Sequence, residues 1–198
     1  MTRFLPTRDL ACRMLLLAAV AVIAVLGDAA TSSAQASTPS EYQVKAAYLY
    51  NFGRFVTWPA IPAAQDGSFT ICVLGRDPFG ATLDAAVAGH PLGGKPVAVK
   101  RIAHPEEASG CRILFIDSEK AGSLKEILPA LSHLPVLTVS DMPDFSQRGG
   151  MIQFVLEDSR VRFEVNLTNA ESAGLTMSSE LLKVASGVKG RPRTGPGN

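Results

Sequence analysis

Two neighbouring segments near the end of the chain alternate apolar and polar residues with the period of a β-strand. They are IQFVL (152–156) and VRFEVNL (161–167), and the polar loop Glu157-Asp158-Ser159-Arg160 lies between them. Antiparallel pairing across this loop places Phe154 opposite Phe163, so that the apolar side chains of both strands share one face. The opposite face is too polar for a dry core, and we expect it to be wet or covered by polar groups. Its polar side chains are Gln153, Arg162, Glu164 and Asn166.

A helix is predicted to begin near residue 41. Ser40-Glu41-Tyr42-Gln43 has the form of a capping box, and Thr57-Trp58-Pro59 ends the helical pattern. The apolar residues at helical spacing are Val44, Tyr48, Phe52 and Phe55. Because further aromatic residues lie on other faces, two interpretations stay open. The helix packs on two sides, or it forms a contact surface through Tyr50, Arg54 or Trp58, since aromatic and Arg side chains dominate interface hot spots.

The middle of the chain alternates predicted strands with predicted helices. CRILFID (111–117) is a continuous apolar run, typical of a strand that is covered on both faces. The other strands are predicted at Phe69–Leu74, Pro96–Arg101 and Val136–Ser140, and the helices at Ala81–Ala88, Leu124–Leu131 and Ser178–Ala185. This order favours a parallel sheet with helices on both sides. The predicted fold class is therefore α/β, a single-domain three-layer sandwich with a mainly parallel sheet, a C-terminal antiparallel hairpin and flanking helices.

The first 36 residues have the pattern of a secretory signal peptide. Three Arg residues precede the apolar run Met14–Leu26, and Ala34-Gln35-Ala36 follows as a cleavage site. The run is shorter than the roughly 18–20 residues that span a bilayer, so a retained anchor helix is the weaker alternative. We therefore predict an exported protein with a signal peptide at 1–36, an α/β domain at 37–188 and a disordered basic tail at 189–198.

Charge and cysteine content agree with an exported globular domain. After residue 36 the chain keeps 16 of its 19 Lys and Arg residues and 16 of its 18 Asp and Glu residues, so we expect no attraction to nucleic acid. Cys72 and Cys111 are the two cysteines of this part. Export favours a disulfide between them, and the alternative is two buried thiols. If their strands are neighbours in the sheet, the two cysteines come within bonding distance.

The residues that could carry chemistry form no catalytic or metal-binding motif. His90, His104 and His133 lack metal-ligand spacing, and no serine has the context of a nucleophile. The glycine loop 75–80 follows a strand and precedes a helix, a position that can bind phosphate, but it lacks a nucleotide-binding motif and suits a plain turn better. We therefore predict a protein without enzymatic activity, cofactor or metal.

Four segments resemble the YfiR-like, also called HmsC-like, family. They are KAAYLYNFGRFVTWP (45–59), ICVLGRDPFG (71–80), LTVSD with FSQRGGMIQFV (137–155) and RFEVNLTNAESAGLTMSSELLKVA (162–185). The resemblance implies a periplasmic protein that binds the periplasmic sensor domain of an inner-membrane diguanylate cyclase and represses it. Less cyclic di-GMP, exopolysaccharide and biofilm would follow. It also implies that an outer-membrane lipoprotein can sequester the repressor, and a homodimer is a further candidate assembly.

We expect the partner to contact the polar hairpin face and the loop DMPDFSQRGG (141–150). The residues predicted to bind it are Arg162, Glu164, Asn166, Gln153, Phe145 and Arg148. The simpler interpretation is that Arg162 and Glu164 form a solvated cross-strand charge pattern.

A different class of function is a periplasmic small-ligand binder, with a pocket built by the loops after Leu74, Asp117 and Ser140 at the carboxyl edge of the sheet. Some members of the family carry a second cysteine pair that this chain lacks, which argues against a dithiol switch of their kind.

Overall fold

The computed structural model describes residues 39–60 and 67–190, which belong to one unit that begins at Pro39. The predicted signal peptide and the last eight residues of the predicted tail lie outside the described residues. The helices are α1 (Glu41–Phe55), α2 (Ala81–Val87), α3 (Leu124–Leu131), α4 (Leu167–Ser172) and α5 (Ser179–Val184). The strands are β1 (Val56–Thr57), β2 (Phe69–Leu74), β3 (Val97–Ile102), β4 (Ile113–Ile116), β5 (Leu137–Ser140), β6 (Ile152–Glu157), β7 (Arg160–Asn166), β8 (Thr176–Met177) and β9 (Gly187–Lys189). Two 3₁₀ helices lie at Pro105–Gly110 and Ser118–Ser123.

A seven-stranded sheet in the order β3-β2-β4-β5-β6-β7-β9 forms the middle layer. Strands β3, β2, β4, β5 and β6 are parallel neighbours, β7 is antiparallel to β6, and β9 is parallel to β7. The short strands β1 and β8 pair separately. This arrangement confirms the predicted mainly parallel sheet with an antiparallel hairpin.

Each face of the sheet has its own apolar core. The first core lies under α1, α2, α4 and α5 and includes Phe52, Phe115 and Phe163. The second lies under α3 and the 3₁₀ helices and includes Leu114 and Phe145. Strands β2 and β4 contribute to both cores, which explains their continuous apolar sequences. The fold is therefore the predicted three-layer sandwich.

The β6–β7 hairpin has the predicted register. Phe154 pairs with Phe163 and Ile152 with Val165. Asp158 and Ser159 form the two-residue turn with positive φ angles of 48° and 61°, as in the type I′ turns that match strand twist. Leu156 differs from the rest of the apolar set, because its side chain is 59% exposed.

The disulfide prediction is confirmed. Cys72 of β2 is bonded to Cys111, which lies two residues before β4, and their Cα atoms are 5.9 Å apart. The bond is possible because β2 and β4 are parallel neighbours. Cys72 is 0% exposed and Cys111 is 4% exposed, so the bond belongs to the second core.

Some boundaries and faces differ from the predictions. The capping box of α1 is present, but the fully buried stripe of this helix is Ala46, Leu49 and Phe52 together with Lys45, and the other predicted apolar positions are half-buried. The strand predicted at 111–117 is shorter, because Cys111 ends the first 3₁₀ helix. Residues 187–189, at the junction of the predicted domain and the predicted basic tail, form β9 against β7. An open edge of β7 favours this pairing, because its backbone groups need partners.

Candidate functional site

The loop of residues 141–150 lies on the polar face of the β6–β7 hairpin. Ser146 is the centre of this contact. Its N–H donates to Oε1 of Gln153 (3.0 Å), its hydroxyl donates to Oε2 of Glu164 (3.1 Å), and its carbonyl accepts from Nδ2 of Asn166 (2.8 Å). The polar face is therefore covered by polar groups, and a loop of the same chain supplies them.

Packing also holds this loop in place. Phe145 is 0% exposed and belongs to the second core. The N–H of Gly150 donates to the carbonyl of Phe145 (2.9 Å), and a Cβ atom at Gly150 would overlap the Phe145 ring. Gly149 has a φ of 110°, a conformation that favours glycine. The Phe145 ring therefore excludes a side chain at Gly150, and the backbone conformation disfavours one at Gly149.

The six residues predicted to contact a partner occupy two kinds of position. Phe145 is 0% exposed, so it supports the loop from inside and cannot make the predicted direct contact in this conformation, and Gln153 is 9% exposed and supports the loop through its hydrogen bond with Ser146. Arg148 and Arg162 are exposed, and Glu164 and Asn166 are half-buried. We name these four residues the hairpin–loop surface. Contact between this surface and a partner stays a prediction.

Arg148 is also tied to the layer beneath it. Its Nη2 donates to the carbonyl of Ala121 in the second 3₁₀ helix (2.6 Å). On the other side of the loop, Nδ2 of Asn169 donates to the carbonyl of Gly149 (2.8 Å). The loop that carries Arg148 is therefore hydrogen-bonded to the second 3₁₀ helix and to α4 as well as to the hairpin.

A cleft of about 330 Å³ lies at the carboxyl edge of the sheet. We name it the carboxyl-edge cleft. Its walls are Glu41 and Lys45 of α1, Asp141 and Pro143 after β5, and Gln153, Phe154, Val155 and Leu156 of β6. Of the three loops predicted to form a pocket, the one after Ser140 lines this cleft. The loop after Leu74 instead packs on the loop after β4, since a Cβ at Gly75 would lie 3.2 Å from Cβ of Asp117.

Lys45 holds together the wall of the cleft. It is 3% exposed, and its Nζ lies 2.5 Å from Oε1 of Glu41 and 2.6 Å from Oδ2 of Asp141. Burial lowers the pKa of Lys45, but the hydrogen bonds to Asp141 and Glu41 outweigh burial and raise the pKa above its ordinary value. Lys45 is therefore charged at neutral pH and is unsuited to act as a nucleophile or base.

Tyr42 completes this cluster. Its hydroxyl donates to Oδ2 of Asp141 (3.2 Å), and its ring centre lies 4.5 Å from Nζ of Lys45, within range of a cation–π interaction. Burial, and next the negative charge of Asp141, raise the pKa of Tyr42. The sequence analysis missed this cluster. The spacing of Glu41 and Lys45 on a helix was a signal for an ion pair, but Asp141 lies 96 residues from Lys45 and has no sequence signal to connect them.

The other surface predicted for α1 is partly used within the chain. Nε1 of Trp58 donates to the carbonyl of Arg112 (3.1 Å), and the hydroxyl of Tyr50 lies 3.5 Å from the carbonyl of Pro91. Arg54 is exposed at the end of α1. A contact role for this surface stays a prediction, with Arg54 as its most accessible residue.

The glycine loop between β2 and α2 is held by side chains of its surroundings. Asp77 accepts a hydrogen bond from the N–H of Phe79 (2.8 Å). Its carboxylate also forms an ion pair with Nε of Arg101 (2.9 Å). Arg101 also pairs with Asp84 of α2, and this ion pair lowers the pKa of Asp84. These contacts account for the loop as a strand-to-helix turn.

Among residues 39–60 and 67–190, no three His, Cys, Asp or Glu side chains are placed to hold a metal ion. Nor does any helix of the described chain have the length and apolar character needed to cross a bilayer.

Comparison with solved structures finds partial similarity at low identity. A conserved domain protein from Vibrio cholerae O1 biovar El Tor is 13% identical with a TM-score of 0.46, and the match covers 61% of this chain and 54% of that one. The ABC domain in complex with L-Trp from Streptococcus pneumonia is also 13% identical, with a TM-score of 0.49 and coverage of 72% and 60%. This chain therefore spans less than two thirds of either protein.

A family model gives the wider match. The model described as YfiR/HmsC-like covers residues 42–186, from the first turn of α1 to the residue before β9. The matched range contains all four segments on which the resemblance was based. The resemblance is thereby confirmed, and the chain belongs to the YfiR/HmsC-like family.

Proposed function

We propose that this protein binds the periplasmic sensor domain of an inner-membrane diguanylate cyclase and holds the enzyme in its inactive state. The observation that carries the proposal is the family match over residues 42–186. The cyclase makes its product in the cytoplasm, so the repressor acts through the sensor domain and does not meet cyclic di-GMP. Lower cyclic di-GMP, less exopolysaccharide and less biofilm are the expected consequences.

The hairpin–loop surface is the proposed point of contact. Ser146 and Phe145 hold the loop on the hairpin through three hydrogen bonds and a buried ring. A surface that is ordered before binding loses little conformational entropy when a partner docks. Arg148, Arg162 and Glu164 supply both signs of charge, which suits discrimination between partners.

Repression requires a preference for one state of the cyclase. A protein that bound the active and inactive sensor equally would not change their ratio, whatever its affinity. We therefore propose that the hairpin–loop surface fits the inactive sensor better. An outer-membrane lipoprotein that covers the repressor would release the cyclase, and a homodimer is compatible with either complex.

Co-purification tests the partner. The full chain, expressed with its own leader and a C-terminal tag, is crosslinked in cells and purified from membranes under mild and strong crosslinking. We expect recovery of a membrane protein with a cytoplasmic cyclase domain. Recovery of no such protein under either condition would contradict the proposed function.

Charge reversal tests the surface. Arg162→Glu changes an exposed residue of β7, and Arg54→Glu makes the same change on an exposed residue of α1. We expect Arg162→Glu to lower recovery of the cyclase and to raise cellular cyclic di-GMP, while Arg54→Glu leaves both unchanged. The opposite pattern would move the contact to α1. Glu164→Lys is a second variant, and a folded Glu164→Lys protein with normal binding would contradict the proposed surface.

A further inference from the structure

Strand β6 is longer than its parallel neighbour β5. The last pair between them is Ser140 with Gln153, but β6 continues to Glu157. The chain leaves the sheet after Ser140, whose hydroxyl accepts the N–H of Met142 (3.1 Å) and donates to the carbonyl of Ile116 (2.7 Å). Residues 154–157 of β6 therefore have a strand partner on the β7 side alone.

The hairpin register shows which backbone groups face the open side. The N–H of Asn166 donates to the carbonyl of Met151 (2.7 Å), so residues 151, 153, 155 and 157 direct their backbone groups towards β7. Leu156 then directs its N–H and its carbonyl away from β7, to the side where β5 has ended. Pairing of these groups by another chain would satisfy them as an added strand does.

The carboxyl-edge cleft follows this open edge. Phe154 and Leu156 line it from the face of the sheet that packs on α1, and Gln153 and Val155 line it from the opposite face. The side chain of Leu156 is 59% exposed there. A cleft bordered by both faces of one strand has the shape that an additional short strand occupies, with its side chains alternating between the faces.

Gln153 adds an unused donor to the cleft. Its Oε1 accepts the N–H of Ser146, which fixes the orientation of the amide group. No residue in 39–60 or 67–190 accepts a hydrogen bond from Nε2 of Gln153, although the residue is only 9% exposed. Within those ranges no fully buried polar side-chain atom lacks a partner, so Nε2 is open to the cleft that Gln153 lines.

The charge of the cleft selects the kind of strand. Lys45 is the cation of the lining, but its side chain is 4% exposed and its ammonium is paired with Glu41 and Asp141. The lining thus has two carboxylates against one ammonium, and the side chain of Glu41 is 39% exposed. The net charge of the lining is therefore negative, which favours a basic side chain in the occupant.

We propose that the carboxyl-edge cleft binds an extended segment of a partner protein, added as a strand along residues 154–157, with alternating basic and apolar side chains. The segment pairs with the backbone of Leu156, places a basic side chain beside Glu41 and presents an acceptor to Gln153. This inference rests on the proposed function for the identity of the partner, but the cleft and its chemistry are properties of this chain. It adds a backbone-directed contact to the side-chain contacts of the hairpin–loop surface.

Two synthetic eight-residue peptides test the inference on the full mature chain. One alternates Lys and Val and the other alternates Glu and Val, and both are titrated into ¹⁵N-labelled protein. We expect the Lys–Val peptide to shift the amide signal of Leu156 and to slow its hydrogen exchange at least tenfold, and the Glu–Val peptide to do neither. Val184 is a matched control, because it is also 59% exposed but lies on α5.

Two variants separate strand addition from general attraction. Leu156→Pro removes the N–H on the open side and leaves the β7 ladder intact, so the Lys–Val peptide should no longer bind. Glu41→Gln keeps the backbone and removes one carboxylate, so it should weaken binding several-fold. If neither peptide protects Leu156, if both do so equally, or if a folded Leu156→Pro protein binds normally, the inference is wrong. Because the peptides need no cyclase, protection of Leu156 would support the cleft even if co-purification contradicted the proposed function.

Discussion

Gly150→Ala is predicted to destabilise the loop that carries the hairpin–loop surface. The added Cβ atom would overlap the ring of Phe145, which is 0% exposed and packed in the second core. The ring cannot move towards solvent without leaving a cavity. The substitution therefore forces either backbone movement in the loop or loss of the buried ring position.

The loss of folding free energy in Gly150→Ala depends on whether the backbone moves or the ring leaves its buried position. Overpacking of a close-packed site costs about 1–3 kcal/mol, and loss of a buried Phe side chain costs about 3–5 kcal/mol, which sets the upper limit. Replacing Gly by Ala also lowers the conformational entropy of the unfolded chain, which stabilises the folded state by about 0.4–1 kcal/mol. We expect a net loss of about 2 kcal/mol in the free energy of unfolding.

Urea denaturation of four proteins measures this coupling: the native chain, Gly150→Ala, Phe145→Ala and the double variant. Phe145→Ala removes the ring that the new Cβ would meet, so Gly150→Ala should cost about nothing in that background, with a coupling energy of about 2 kcal/mol. Gly122→Ala is the control, because its Cβ would have no atom within 4 Å. An equal cost of Gly150→Ala with and without the Phe145 ring would refute the reasoning.

The remaining predictions concern the disulfide and the ion pair. Replacing Cys72 and Cys111 by Ser should lower stability by about 4 kcal/mol by the chain-entropy estimate for a separation of 39 residues, as measured by urea denaturation of oxidised protein and variant. Lys45→Met should cost about 3 kcal/mol, because Asp141 is only 14% exposed and loses its counterion, while Asp141→Asn should cost less because Lys45 keeps Glu41. The raised pKa of Lys45 gives stability that is complete below the unfolded pKa of about 10.4 and is lost as the pH rises through the folded pKa. The stability difference between the native chain and Lys45→Met should therefore be constant from pH 7 to about pH 10 and shrink above it, and a difference that grows there would contradict this assignment.

Local patterns accounted for most elements of the fold. The capping box at Ser40, helix α3 and strand β2 have the predicted positions, because capping, amphipathic spacing and continuous apolar runs depend on residues close in sequence. The register of the hairpin was predictable for the same reason, since a one-residue slip would move Phe163 to the wrong face. The parallel orientation of the strands followed from their alternation with helices.

The role of polar residues could not be predicted in this way. Gln153, Glu164 and Asn166 were recognised as a polar face, but a polar face can bind a partner, bind water or hold another part of the same chain. The fold places Ser146 within hydrogen-bond distance of all three, so these side chains have an internal role whatever they also contact. Phe145 was predicted to contact a partner as part of the loop 141–150, and the tertiary structure instead places its ring in the core.

The sequence alone determined helices α1, α2, α3 and α5, strands β2 to β7, the hairpin register and the family, because these depend on local periodicity and on the order of short motifs. The tertiary structure alone decided the partner of Lys45, the burial of Phe145 and the open edge beside Leu156. Each of these depends on the distance between segments far apart in sequence: Asp141 is 96 residues from Lys45, and the edge of β6 is open because β5 ends four residues short of it. Local propensity carries no information on such distances, which are set when the layers pack together.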